Sequence, residues 1–436
     1  MSRAATLFPD EFYHDADLRL VQAIQAISSA PTEALDILDV DSPSSAFAEV
    51  LRHILPACKV LGLAEAHASP PEHYTLLLTG ELSEAANQIP PASLDAIIIG
   101  ERTLADPARL AILRPLLRPR GKLLAAVQNA QHWSQLDRLL RGEPARGLTA
   151  PQCVRALLDA GFLPHFADRR IHPLPDTWLA TLPSLAEHQR LGLPTCLARS
   201  QTLTYVVTAR PLPELPADIV PPVTLGVCTN DADVLADNLL ASPDLQNDTH
   251  EVITVKDARS LAEGLETVLA QASHELVVLA HQDIYLPRGW FARLWSQYAL
   301  AREITGDRVG VMGVYGVHGG SQGILRAGRV ADRDAVLDET APLPAPVSSL
   351  DEIVLAMPRQ TRLRPDPALG FHLYGTDLAL AAENAGLTAL AIDAPCHHNS
   401  QQGNELPAAF YSSAEVLRNR WPTKLPILTP CMLIKG

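Results

Sequence analysis

At 436 residues the chain exceeds one ordinary hydrophobic core, so two or three domains are expected. Its 47% hydrophobic and 19% charged residues describe a globular chain rather than a disordered one. A formal charge of -14 argues against nucleic-acid binding, which needs clustered lysine and arginine against phosphates, although Arg359, Arg362 and Arg364 make a local basic patch.

In chain order, residues 34–40 read as a strand, 46–55 as a helix and 59–63 as a second strand. Residues 94–99 and 122–127 are further strands, 151–160 is a helix closed by Gly161, and 202–208 is a late strand returning to the same sheet. Residues 175–196, rich in proline and leucine, fit no single pattern. The stretch from Pro211 to Pro222 holds five prolines, which remove backbone donors and resist helix, so an extended connector is expected there. Beyond it, 224–228, 251–255, 276–280 and 309–317 read as strands, with helices at 260–272 and 290–302. Residues 341–346 read as a loop, 350–354 as a strand start with solvent-facing acids, and 377–385 as a helix ending at Gly386. Apolar runs alternating with helical patterns on both sides of the connector imply an α/β fold class: two Rossmann-like domains around mainly parallel sheets. The boundaries expected are a helical extension at 1–30, domains at 31–210 and 223–436, and a linker at 211–222.

Six cysteines show neither a CxxC pair nor zinc-ligand spacing, which fits reduced thiols in a cytoplasmic protein. The first twenty residues lack an apolar signal-peptide core, and no run approaches the roughly 20 apolar residues that span a bilayer. A peripheral membrane contact stays compatible with this pattern.

Three short segments in the last third carry chemistry. The run Leu276 to Ala280 ends in His281, Gln282 and Asp283, and ligands of open α/β sheets sit at such carboxyl ends. Asp283 there either binds a divalent cation or caps a turn. Asp377, after an aromatic loop, is either a general base for an acceptor hydroxyl or a helix cap. His398 is either a metal ligand through neutral imidazole or a loop histidine with local partners. Gly319 to Gly323 invites a phosphate-loop assignment, but no lysine follows and a mobile loop is preferred.

Taken together and in order, these segments resemble glycosyltransferase family 2, of the GT-A fold, and within it the StrF-like subgroup. The resemblance covers about residues 222–425. It is carried by His281, Gln282 and Asp283 with Pro287 and Trp290, by Phe371, His372, Tyr374 and Asp377, and by Cys396, His398 and Ser400 with Gly403. The resemblance implies Asp283 and His398 at a metal (Mn2+ or Mg2+) and Thr229, Asn230 and Asp283 at a nucleotide sugar. It also implies Asp377 as the catalytic base, with Asp351, Glu352, His372 and Tyr374 on the acceptor side. The implied reaction is inverting displacement at the anomeric carbon of a nucleotide-diphosphate sugar, toward a glycan or protein acceptor. His281 stands where the family's DxD motif has its first acid, and so departs from it.

Residues 31–210 resemble a class I, SAM-dependent methyltransferase. The matching segments are Leu94 to Ile99, Leu104 to Pro107, Leu116 to Leu123, Gln128 with Asn129, Trp133, Gly142 and Ala160 to Phe162. Where such enzymes place a glycine-rich turn, the chain runs Asp39 to Ser45 without a glycine. SAM is therefore expected to be unlikely as a cofactor, even though Glu65 stands where an acid holds ribose. That domain is expected to bind an acceptor, position its neighbour or self-associate into a homo-oligomer, with His132 and Trp133 as a candidate patch and core packing preferred for Trp133. The alternatives are a bifunctional sugar methyltransferase and glycosyltransferase, or a noncatalytic adaptor.

Overall fold

The computed structural model describes residues 15–27, 34–41, 45–64, 74–189, 191–214, 220–320, 323–400 and 406–436. The chain forms two compact units, Met1–Glu214 and Leu215–Gly436.

Among the described residues the N-terminal unit holds seven strands: β1 (Asp36–Val40), β2 (Lys59–Ala64), β3 (Leu76–Thr79), β4 (Leu94–Ile99), β5 (Leu117–Gln128), β6 (Phe162–Ile171) and β7 (Thr202–Pro211). They lie in the order β3-β2-β1-β4-β5-β7-β6. The first five are parallel, and β7 runs antiparallel to both β5 and β6. Strands β1 and β4 are almost wholly buried, because helices cover both faces of a parallel sheet and leave no side for polar alternation. Strand order reverses between β1 and β4, where open α/β sheets form their ligand crevice. Asp41 sits at that point with φ 77°. Its carboxylate accepts from the backbone of Gly100 and Thr103 at 3.1 Å each and from the Thr103 hydroxyl at 2.8 Å, and pairs with Arg109 at 3.1 Å. Residues 42–44 of the cofactor-loop expectation, and Glu65, lie outside the described residues.

The proline- and leucine-rich stretch resolves into three short helices: Asp176–Leu179, Leu182–His188 and Leu193–Gln201. Each begins at a proline, at the N-cap or in the first turn, where the missing N–H costs nothing. They bury Leu174, Leu182, Ala186 and Cys196 in a cluster that Trp133 and Trp178 join, so Trp133 packs as expected.

In the C-terminal unit, the strands are β8 (Thr224–Thr229), β9 (Glu251–Lys256), β10 (Leu276–Ala280), β11 (Ile284–Tyr285), β12 (Val309–Gly313), β13 (Tyr315–Gly320) and β14 (Gly323–Asp332). They continue with β15 (Ala335–Asp338), β16 (Ala345–Pro346), β17 (Ser349–Leu350), β18 (Val354–Pro358), β19 (Thr388–Ala391), β20 (His397–His398), β21 (Ile427–Leu428) and β22 (Leu433–Ile434), the last two forming a small sheet of their own. The main sheet has the order β16-β19-β12-β18-β10-β8-β9, with β18 antiparallel between β10 and β12. A second sheet has the order β11-β20-β14-β13-β17, with β15 beside β14.

Four expectations change. The run 309–317 is two strands, because Val314 turns the chain from the main sheet into the second one. Residues 350–354 are not one strand: β17 ends at Leu350 and β18 starts at Val354, leaving Asp351 and Glu352 on a half-buried link rather than facing solvent. The glycines at 319–323 belong to the β13–β14 hairpin, in which Gly320 pairs with Gly323. The expected helix at 377–385 starts earlier, as Tyr374–Asn384.

Candidate metal centre

Strand β10 is buried along its whole length, so the chain first meets polar surroundings at its carboxyl end, at His281, Gln282 and Asp283. Two long-range pairings bring His398 there. Strand β11, immediately after Asp283, pairs antiparallel with β20, setting Ile284 opposite His398. Strand β20 also pairs with β14, setting Asp332 beside His398. Trp290 anchors the approach to β20: its fully buried indole donates to the Ala394 carbonyl at 2.9 Å.

Ligand atoms of His281, Asp283 and His398 lie within 4.8 Å of one another. His398 Nε2 is 3.5 Å from Asp283 Oδ2, and its Nδ1 is 2.9 Å from Asp332 Oδ1. Burial opposes charge on this imidazole, but Asp283 and Asp332 override it and hold the pKa up at about 10. Burial pushes Asp283 the other way too, yet His398 draws it down to about 2. His281 is held neutral, its pKa lowered by burial to about 4. Its Nε2 is 2.8 Å from the Tyr374 hydroxyl, which in turn donates to the Glu352 carbonyl at 3.0 Å. A carbonyl only accepts, so the tyrosine proton goes there and His281 Nε2–H donates to Tyr374. That tautomer leaves the Nδ1 lone pair of His281 free.

Two imidazoles and a carboxylate suit a divalent transition ion, and Asp332 on the far nitrogen of His398 is the outer partner that fixes a ligating histidine. Asp332→Asn is therefore expected to weaken Mn2+ binding about 10- to 100-fold. Isothermal titration would read the loss; unchanged affinity would remove Asp332 from the site.

The remaining sequence candidates divide. Thr229 is buried, and its hydroxyl lies 2.6 Å from Gln282 Oε1, so it is spent inside the protein rather than on a ligand. Gln282 also accepts from the backbone of Asn230 and Asp231 at 3.2 Å each and donates to the Asn230 side chain at 2.8 Å. It ties the loop after β8 to the end of β10, while Asn230 stays exposed. Asp351 and Glu352 lie on the link between β17 and β18, both pushed up by burial. His372, half-buried, lies tilted against Phe410 with ring centres 5.9 Å apart.

Asp377 does not stand as a base. Its side chain is fully buried, and it accepts from the Asp366 backbone at 2.8 Å, from the Trp421 indole at 2.6 Å and from Arg420 at 3.1 Å. No acceptor hydroxyl reaches a carboxylate closed in by those donors; it ties the end of the C-terminal helix (Ala408–Arg420) to the helix Tyr374–Asn384. His281, Gln282 and Asp332 are the site residues missing from the sequence assignment. The first two lay inside the quoted motif, whereas Asp332 carried no local signal. A cavity lined by Arg259, Glu263, Arg364 and Pro367 contains none of these residues.

No family model matches the chain, and no curated protein matches it. Solved structures similar to it match its N-terminal part. One is an S-adenosylmethionine-dependent methyltransferase from Mesorhizobium loti, 16% identical, covering 43% of this chain and 96% of that one, with a TM-score of 0.28. A SAM-dependent methyltransferase from Archaeoglobus fulgidus is 13% identical, covering 47% and 99%, with a TM-score of 0.32. Human N-acetylserotonin methyltransferase in complex with SAM is 14% identical, covering 44% and 52%, with a TM-score of 0.27. The expectation that SAM is unlikely is corrected accordingly: the similar structures are SAM-dependent enzymes, one with SAM bound, and a missing glycine in one turn does not exclude that cofactor. The chain is an α/β protein of more than one domain.

Proposed function

We propose that the C-terminal unit is a metal-assisted glycosyltransferase that moves a sugar from a nucleotide diphosphate to a hydroxyl of a glycan or protein. The observation that carries this is the meeting of His281, Asp283 and His398 at the carboxyl end of β10, beside the β8 loop that Gln282 holds. His281 Nδ1, a carboxylate oxygen of Asp283 and His398 Nε2 would hold a divalent cation. When bound, such an ion neutralises charge developing on a departing diphosphate. Asp332 keeps His398 in the tautomer that presents Nε2, and Asn230 is exposed where a nucleotide would lie. On this account Asp351, Glu352, His372 and Tyr374 would stand on the acceptor side.

The test is a panel of nucleoside diphosphates added with Mn2+ or Mg2+ while thermal stability is followed. One nucleotide at 100 times its Kd adds about 2.7 kcal/mol, a rise of several degrees, and Asp283→Ala abolishes it. No response to any nucleotide moves the assignment to an adaptor.

A second activity is favoured by the sheet order β3-β2-β1-β4-β5-β7-β6 and its switch point between β1 and β4. On this account the N-terminal unit methylates, and the protein is a bifunctional transferase. Calorimetry of the full chain with SAM tests it; absence of heat at millimolar ligand removes it.

A further inference from the structure

We propose that Glu352 is the general base that takes the proton from the acceptor hydroxyl; this rests on the glycosyltransferase assignment above. The residue sits on the link between β17 and β18, and three features fix its surroundings: backbone ties to His281, and the start of the next helix at Leu373 and at Gly375.

The first is its tether to the cluster. His281 donates its backbone N–H to the Ile353 carbonyl at 3.1 Å, next in sequence to Glu352. Tyr374 bridges the Glu352 carbonyl to the ring of His281, at 3.0 and 2.8 Å. The second is the backbone at Leu373, which holds a leucine in the left-handed region, with φ 61° and ψ 12°. That conformation costs a β-carbon-bearing residue on the order of 1–3 kcal/mol and persists where the surroundings demand it. Here the Leu373 N–H favours the ionised form of the Glu352 carboxylate. The third is Gly375. A Cβ at this position would lie 3.2 Å from Glu352 Cγ and 2.7 Å from the Leu350 carbonyl. Only glycine lets the start of the helix Tyr374–Asn384 close on the glutamate.

Its neighbours are poorer candidates. Asp351 turns its Oδ1 back onto the Ile353 N–H at 3.3 Å, and Asp377 is fully buried under three donors. Glu352 keeps partial exposure. The titratable groups around it are Asp351 on its own link, Tyr374 on the facing helix and Cys431 on the C-terminal segment. Burial and the like charge of Asp351 raise its pKa well above the ordinary carboxylate range, the direction that makes a carboxylate a stronger base.

In the step, the acceptor oxygen forms a bond to the anomeric carbon while its proton passes to Glu352. The bond from that carbon to the diphosphate oxygen breaks, and its electron pair leaves on the diphosphate. Glu352 then loses the proton to solvent.

The experiment uses the full chain with Mn2+ and a panel of UDP-glucose, UDP-N-acetylglucosamine, UDP-galactose and GDP-mannose, reading nucleoside diphosphate released with water as acceptor. Glu352→Gln is expected to lower release about 10²- to 10⁴-fold while Mn2+ and nucleotide affinities stay within threefold. Azide attacks without giving up a proton, so it restores release in this variant and yields the inverted glycosyl azide. Glu352→Asp keeps part of the activity. Release within threefold of wild type, or a loss that azide does not restore, overturns Glu352 as base with the transferase assignment intact. Wild-type protein that binds no nucleoside diphosphate, or binds one but releases none from these donors, overturns that assignment and the base with it.

Discussion

Replacing Asp377 with alanine lowers the stability of the C-terminal unit by about 3–5 kcal/mol, read as a shifted urea midpoint at unchanged slope. The carboxylate is fully buried and accepts from the Trp421 indole, the Arg420 guanidinium and the Asp366 amide. Removing it takes the acceptor from the Asp366 amide and the Trp421 indole, and leaves Arg420, which keeps Asp366 at 3.0 Å, with one carboxylate instead of two. Asp377→Asn keeps one acceptor oxygen but turns an NH2 toward a donor, so it is expected to fall nearly as far. Trp421→Phe, which leaves the carboxylate with its other two partners, costs about 1–3 kcal/mol. Mn2+ affinity stays within threefold in all three, because none of these residues touches the cluster. Stability unchanged beside lost turnover would return Asp377 to the role of base.

Mn2+ affinity rises about tenfold per pH unit from roughly pH 6.5 to 9, because each ion bound displaces one proton. The proton is that of His398, whose pKa Asp283 and Asp332 hold at about 10 against the effect of burial. Asp283, at about 2, is already ionised over this range, and His281, at about 4, is already neutral. Calorimetry in buffers of different ionisation enthalpy would count one proton released. A flat affinity profile would mean that His398 is neutral before the ion arrives, and His398→Ala should abolish the slope along with most of the affinity.

The metal-free protein has the opposite dependence. The folded pKa of His398 lies above its ordinary 6.5, so its contribution to stability is complete below pH 6.5 and fades as pH rises through about 10. The folded pKa of Asp283 lies below its ordinary 3.8, so its contribution is complete above that and fades as pH falls through about 2. The carboxylate and imidazolium cluster thus supports the fold most between about pH 4 and 6.5. Above that window the ion takes over the proton's role.

Much of this architecture can be read along the chain. An apolar run such as Leu276 to Ala280 must be buried on both sides, so it must end where the sheet ends, and the polar residues that follow must lie at the sheet's carboxyl edge. That reasoning locates Asp283 and its two neighbours before any coordinates are known. It also finds five of the seven strands of the N-terminal sheet, each a local apolar run, and misses the short edge strand β3 and the polar-rich β6. Residues 175–196, rich in proline and leucine, fit no single pattern, and in the structure Pro175, Pro183 and Pro194 each start a short helix.

The partners of those residues are another matter. Asp332 lies 66 positions from His398 and reaches it only through the parallel register of β14 with β20. Asp377 looks the same along the chain whether it faces an acceptor or a buried indole, and Trp421, 44 positions away, decides. Glu352 read as an exposed acid at a strand start until the chain's switch between two sheets turned it toward the helix at Gly375. Local periodicity by itself determined which segments are strands and helices and which residues stand at their ends, because burial on one or both faces is a property of neighbours in sequence. Which of those ends meet, and so which acids hold a metal, a proton or a tryptophan, was decided by the tertiary structure alone, because strand register and helix docking join residues that share no local pattern.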